Sequence, residues 1–140
     1  MKKTASAIWH GAIKDGKGAI STQTGVLKDA PYGFTARFES GPGTNPEELL
    51  GAAHAGCFTM ALSLILGEAG MIADTIQTTA EVTLDKLADG YAITAIHLDV
   101  RAKIPGADSA AFEKAAAAAK AGCPVSKVLN AKITLDARLE

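Results

Sequence analysis

From Leu49 to Leu66 almost every position is apolar or small (LLGAAHAGCFTMALSLIL). A run of this length with so few polar interruptions predicts a helix buried on most sides. Its start is well marked. Asn45 suits the N-cap, Pro46 the first helical position, and Glu48 stands three residues after the cap, close to a capping box. Glu47 and Glu48 place negative charge at the positive end of the helix dipole.

On either side the hydrophobic period is two. Lys3–Trp9 predicts a strand, His10–Gly18 a hairpin turn, Ala19–Val26 a second strand and Lys28–Gly33 a loop. In Gly33–Glu39 the alternation of Phe34, Ala36 and Phe38 against Thr35, Arg37 and Glu39 predicts a third strand; Ser40–Asn45 is a loop. After Gly70, Thr75–Leu84 and Tyr91–Ala102 predict two strands around a turn at Asp85–Gly90. Ile104–Asp108 is a loop. Ser109 is expected to cap a helix over Ala110–Ala121, nearly all alanine, with Gly122 closing it. Cys123 precedes Pro124 and suits the N-cap of a short helix, Pro124–Leu129; Lys132–Leu139 alternates as a last strand. The order βββ-α-ββ-αα-β predicts an α+β domain with mainly antiparallel sheet. No internal repeat or linker divides residues 1–140, which predicts one domain.

Charge narrows the partners. Fourteen basic and fifteen acidic residues in mixed order give a net charge of −1. That leaves no basic footprint for nucleic acid and no polybasic membrane signal. The N-terminus MKKTASAIWHG has no apolar core of a signal peptide. Leu49–Leu66 is long enough to raise a membrane question, but Gly51, His54, Gly56, Thr59 and Ser63 interrupt it and no aromatic belt flanks it. Two cysteines without a secretory signal point to a reducing compartment, hence the cytoplasm.

Cys57, in the middle of the central helix, and Cys123 are the candidate reactive groups. Their spacing is no motif, and two buried hydrophobes is the plainer reading. As a reactive pair they divide by position: a helix N-terminus favours a Cys123 thiolate, whereas Cys57 needs a nearby cation. Arg37 is the candidate, if a carboxylate such as Glu47 or Glu48 orients it; capping alone also explains both glutamates. Along a straight helix Glu47 lies about 15 Å from Cys57 and about 80° around the axis, so the two cannot touch within one helix. Arg37 bridging the gap, or Glu47 from a second subunit, would connect them. His54, one turn before Cys57, reads better as a hydrogen-bonded core histidine than as a catalytic base. A zinc site from the cysteines with His10, His54 and His97 lacks paired ligand spacing, and the glycines form no phosphate-binding fingerprint.

PYGFTARFE, GTNPEELLGAAHAGCFTMALS and AGCPVSKVLNAKITLD together resemble the OsmC branch of the OsmC/Ohr superfamily, along essentially the whole chain. The resemblance implies an intertwined homodimer with central helices packed between the sheets. It implies a thiol peroxidase that reduces organic hydroperoxides, and hydrogen peroxide more weakly. Cys57 then matches the peroxidatic cysteine and Cys123 the resolving one. Arg37 matches the activating arginine, and Glu47 the glutamate that holds it. It implies a Cys57 sulfenic acid, a Cys57–Cys123 disulfide, and recycling by an external dithiol such as a dihydrolipoyl group, with no metal, haem or flavin. Phe58, Met60 and Leu62 would be candidate walls for an alkyl peroxide. The alternative is a non-catalytic protein on the same fold that binds a hydrophobic ligand or senses redox state.

Overall fold

The computed structural model describes all 140 residues. It is an α+β fold that divides into two compact units, Met1–Leu49 and Leu50–Glu140.

In the first unit, strands β1 (Ala5–His10), β2 (Lys17–Thr22) and β3 (Ala30–Tyr32) form an antiparallel sheet in that order. The second hairpin arm ends at Thr22 rather than Val26, because Thr22 and Leu27 close a turn through backbone and side-chain hydrogen bonds. The third strand is not Gly33–Glu39 but Ala30–Tyr32, in the segment expected to be a loop. Phe34–Phe38 is a short helix, α1. Its aromatic spacing fits both periods, since residues four apart share a helix face as well as a strand face. The helix wins: the Phe34 and Phe38 rings pack at 4.9 Å, and the Arg37 amide donates to Gly33 O. Only Ala36 and Glu47 of this unit are buried, while Ile8, Ile13 and Val26 are exposed.

The central helix α2 spans Pro46–Glu68 and starts as its cap predicts. The Glu48 amide donates to Asn45 Oδ1 at 2.8 Å, and Asn45 Nδ2 donates back to the Glu48 carboxylate and to Ala36 O. Burial on most sides does not hold in this single chain. Gly51, His54, Phe58, Leu62 and Leu66 form one buried stripe, whereas Met60 and Leu64 on the other side are 76% and 64% exposed. By length and composition alone α2 would also suffice to cross a membrane.

In the second unit β4 (Thr75–Leu87) pairs antiparallel with β5 (Gly90–Lys103), and β5 pairs parallel with β6 (Lys132–Leu139). The parallel pair departs from an all-antiparallel sheet because the chain crosses over through α3 (Ser109–Gly122) and α4 (Pro124–Val128) before β6. Asp108, rather than Ser109, caps α3, accepting from the Ala111 amide at 2.9 Å. Phe58, Leu62 and Leu66 of α2, Ile96, Leu98, Val100 and Ala102 of β5, and Phe112, Ala115, Ala116 and Ala119 of α3 form one core. The alanines of α3 let that helix approach closely. Truncating Phe58 here would cost about 3–5 kcal/mol.

Candidate functional site

Arg37 and Glu47 meet within the first unit. Arg37 Nη2 donates to Glu47 Oε1 at 2.7 Å, and Nε donates to both carboxylate oxygens at 3.2 Å. The Glu47 side chain is 10% exposed and that of Arg37 38%. A charged fork on a nearly buried carboxylate is stronger and more directional than a surface pair. Glu47 sits in the first turn of α2 and Arg37 at the end of α1, so the α1–α2 corner, tied by Asn45 to Ala36, sets the pairing. The second terminal nitrogen, Nη1, takes no part in it. Helical rather than extended backbone at Arg37 also brings its guanidinium 5.4 Å from the centre of the Phe38 ring.

The guanidinium borders an apolar pocket of ≈ 230 Å³ lined by Trp9, Ile13, Tyr32, Phe34, Phe38 and Pro46. Trp9 and Tyr32 flank Gly18 on neighbouring strands, their ring centres 5.5 Å apart. A Cβ on Gly18 would stand 2.3 Å from the Tyr32 ring and 2.7 Å from Trp9, so only glycine admits this pair. The expected apolar walls differ from these. Phe58 and Leu62 are sealed in the core of the second unit, and Met60 is exposed.

Within the second unit, Cys123 is buried and Cys57 partly so, and no disulfide joins them in the structure. Cys123 is at once the C-cap of α3 and the N-cap of α4, with Pro124 opening the second helix, as the sequence predicts. The two thiols lie close enough for each to shift the pKa of the other. Burial pushes the Cys57 thiol up, the contact with Cys123 raises it further, and the Val125 backbone opposes both. Burial also pushes the Cys123 thiol up. The Cys57 side chain, the backbone and hydroxyl of Ser126 and the Val125 backbone outweigh it and bring Cys123 below the usual thiol value. The Cys123 side chain accepts no capping hydrogen bond at the start of α4. The two shifts run in opposite directions, Cys57 up and Cys123 down.

Behind the pair, His54 is fully buried and its Nε2 lies 2.7 Å from Ser126 Oγ. Burial lowers the His54 pKa. This is the hydrogen-bonded core histidine expected from its position. Ser126 is a polar partner that the sequence reading missed; its signal was the serine three residues after Cys123, at the start of a helix. No group of three or more histidine, cysteine or acidic side chains is assembled to hold a metal, and His97 instead meets Thr134 and Asp136.

Residues 39–138 match the OsmC-like protein family. The chain is 57% identical over 140 residues to peroxiredoxin OsmC of Escherichia coli, covering all of this chain and 98% of that protein. The structure of the organic hydroperoxide resistance protein OhrB of Bacillus subtilis superposes with a TM-score of 0.71 at 27% identity, over 96% of this chain and 98% of that one. An OsmC-like protein of unknown function from Vibrio cholerae shares the fold alone, with a TM-score of 0.80 at 14% identity over 99% of both chains. The chain belongs to the OsmC-like protein family.

Proposed function

We infer that the chain is a thiol peroxidase, an antioxidant enzyme of stress defence, and propose how its residues share the work. The observation that carries this reading is a pair of neighbouring cysteines, each shifting the pKa of the other, in a chain so similar to a peroxiredoxin. Cys57 is the attacking thiol. Burial and Cys123 alone hold it protonated, so it needs a cation, and Arg37, held by Glu47, is that cation. The free Nη1 also suits a peroxide oxygen. The thiolate attacks the O–O bond; the alkoxide leaves and takes a proton as the alcohol, and Cys57 becomes a sulfenic acid. Cys123 then displaces hydroxide to form the disulfide, which an external dithiol, such as a dihydrolipoyl group, reopens by exchange. The apolar pocket beside Arg37 suits the organic part of a hydroperoxide better than hydrogen peroxide.

The working unit we propose is a homodimer in which residues 1–140 act as one OsmC-like domain, in the cytoplasm. Two observations support it. A sheet unit with two buried residues has too little core to stand alone. The exposed side of α2, with Met60 and Leu64, is an apolar face that a partner helix would cover.

Consumption of cumene hydroperoxide and of hydrogen peroxide, with dihydrolipoamide in excess, tests the reading. Catalytic loss of the organic peroxide, faster than of hydrogen peroxide and absent in Cys57→Ser, is expected. No turnover by the wild type would leave a binding or sensing protein on this fold.

A further inference from the structure

The Arg37 guanidinium has two neighbours of different kinds. Glu47 takes Nε and Nη2, and the central carbon lies over the Phe38 ring, 5.4 Å from its centre. Adjacent side chains leave a strand on opposite faces and do not face each other on a helix. The contact is therefore not a consequence of sequence neighbourhood. It arises because the long arginine chain is drawn back over the ring while Glu47 holds its fork. The ring is itself braced: Phe34, one turn earlier on α1, packs against it with centres 4.9 Å apart and planes at 45°. Both rings and the guanidinium border the same apolar pocket.

A carboxylate that grips one edge of a planar guanidinium resists sliding along that edge better than tilting about it. The face of an aromatic ring carries negative potential and attracts the cation from a direction the carboxylate does not occupy. Two such contacts hold a plane that one would leave to pivot. Nη1, outside the pairing with Glu47, is the donor whose place this decides. The apolar ring also keeps water from one face of the cation, so its charge is less screened. We propose that Phe38 is a positioning residue for Arg37: its ring face, braced by Phe34, holds the guanidinium plane on Glu47 and thereby fixes Nη1 for the reacting group. This rests on Arg37 as the cation that activates Cys57. It gives Phe38 an electrostatic role beside that of a pocket wall. An aliphatic side chain of similar bulk could line the pocket, but only an aromatic face can hold the cation.

The test separates the two roles by changing the charge of the ring face and not its shape. Mono-, di- and trifluorinated phenylalanine in place of Phe38 withdraw the negative potential of the face stepwise. The Cys57 midpoint is read from the pH dependence of its alkylation rate in the Cys123→Ser protein. In the two-cysteine protein kcat/KM is measured for cumene hydroperoxide and for hydrogen peroxide, which is too small to need the pocket. Trifluorination should raise the midpoint by about half a unit and lower kcat/KM for both peroxides about threefold, the scale of one exposed cation–π contact. Lesser fluorination should fall in between. Phe38→Leu should lose at least as much as the trifluorinated protein, and Phe38→Tyr should behave as the wild type. A midpoint unmoved along the fluorinated series, or a loss confined to cumene hydroperoxide and expressed in KM, overturns the proposal and leaves Phe38 as a wall. Arg37→Gln tests the underlying reading: a Cys57 midpoint unmoved by that change removes Arg37 as the activating cation. A midpoint that moves in Arg37→Gln and ignores fluorination overturns the role of the ring alone.

Discussion

Arg37 is held at its two lower donors by one carboxylate, and that geometry makes the arginine a positioned charge rather than a mobile one. Glu47→Gln keeps the shape of the residue but removes the charge that orients the fork. We expect kcat/KM for cumene hydroperoxide to fall about a hundredfold, the usual consequence of misplacing a reacting group by about 1 Å. Arg37→Lys should not rescue activity, because an ammonium cannot hold the carboxylate and face a second partner with a planar fork; wild-type rates in either variant would remove Arg37 from the chemistry. His54 makes a separate prediction. Burial lowers its pKa below 6.5, so the unfolded chain takes up a proton that the folded chain refuses. The sign is fixed: stability is full above about 6.5 and declines as pH falls through that value toward the folded pKa. Urea midpoints measured against pH should show this decline in the wild type and a shallower one in His54→Gln. Cys57, Cys123, Arg37 and Glu47 were nameable as candidates from sequence, but their roles came from the family resemblance, since residue type and spacing alone left plainer readings open. Ser126 and the Trp9–Tyr32 wall were not. A serine and two aromatics acquire meaning only from what folding sets against them.

At the scale of elements, the α1–α2 corner matters most, because it fixes the Arg37–Glu47 pair. Asn45 stitches it on both sides, capping α2 at the Glu48 amide and donating to Ala36 O in α1. Asn45→Ala should therefore cost about 1 kcal/mol in urea unfolding, and lower activity beyond what that loss of stability explains; a stability loss with unchanged kcat/KM would separate the corner from the site. This corner is also where sequence pattern misled. Alternating Phe34, Ala36 and Phe38 satisfy a strand, but the same two phenylalanines satisfy one helical turn, and five residues are too few for periodicity to choose. Longer elements were legible. Cap chemistry set the start of α2, and the alternation of β5 put Ile96, Leu98 and Val100 on the core side as the pattern required. The parallel placement of β6 beside β5 was not legible, since strand direction depends on the crossover rather than on the strand's own residues.

For the whole molecule, the apolar excess of α2 exceeds what one chain can bury. The sequence predicts a helix buried on most sides, and the single chain buries one stripe of it. The difference is the surface assigned here to a second copy. Leu64→Glu, on the exposed side, should leave the core stripe untouched and convert the dimer to monomer in sedimentation, with loss of peroxidase activity. A Leu64→Glu protein that sediments as the wild type would place the interface elsewhere. The central claim is that Cys57 receives the oxygen, although burial and Cys123 raise its pKa and that of Cys123 is lowered. The most direct measurement is trapping with dimedone after one equivalent of cumene hydroperoxide, followed by mass spectrometry of Cys123→Ser and Cys57→Ser. The account predicts a stoichiometric adduct on Cys57 in Cys123→Ser and none in Cys57→Ser. An adduct on Cys123 in Cys57→Ser, with Cys57 unmodified in the other protein, would contradict it and reverse the two roles.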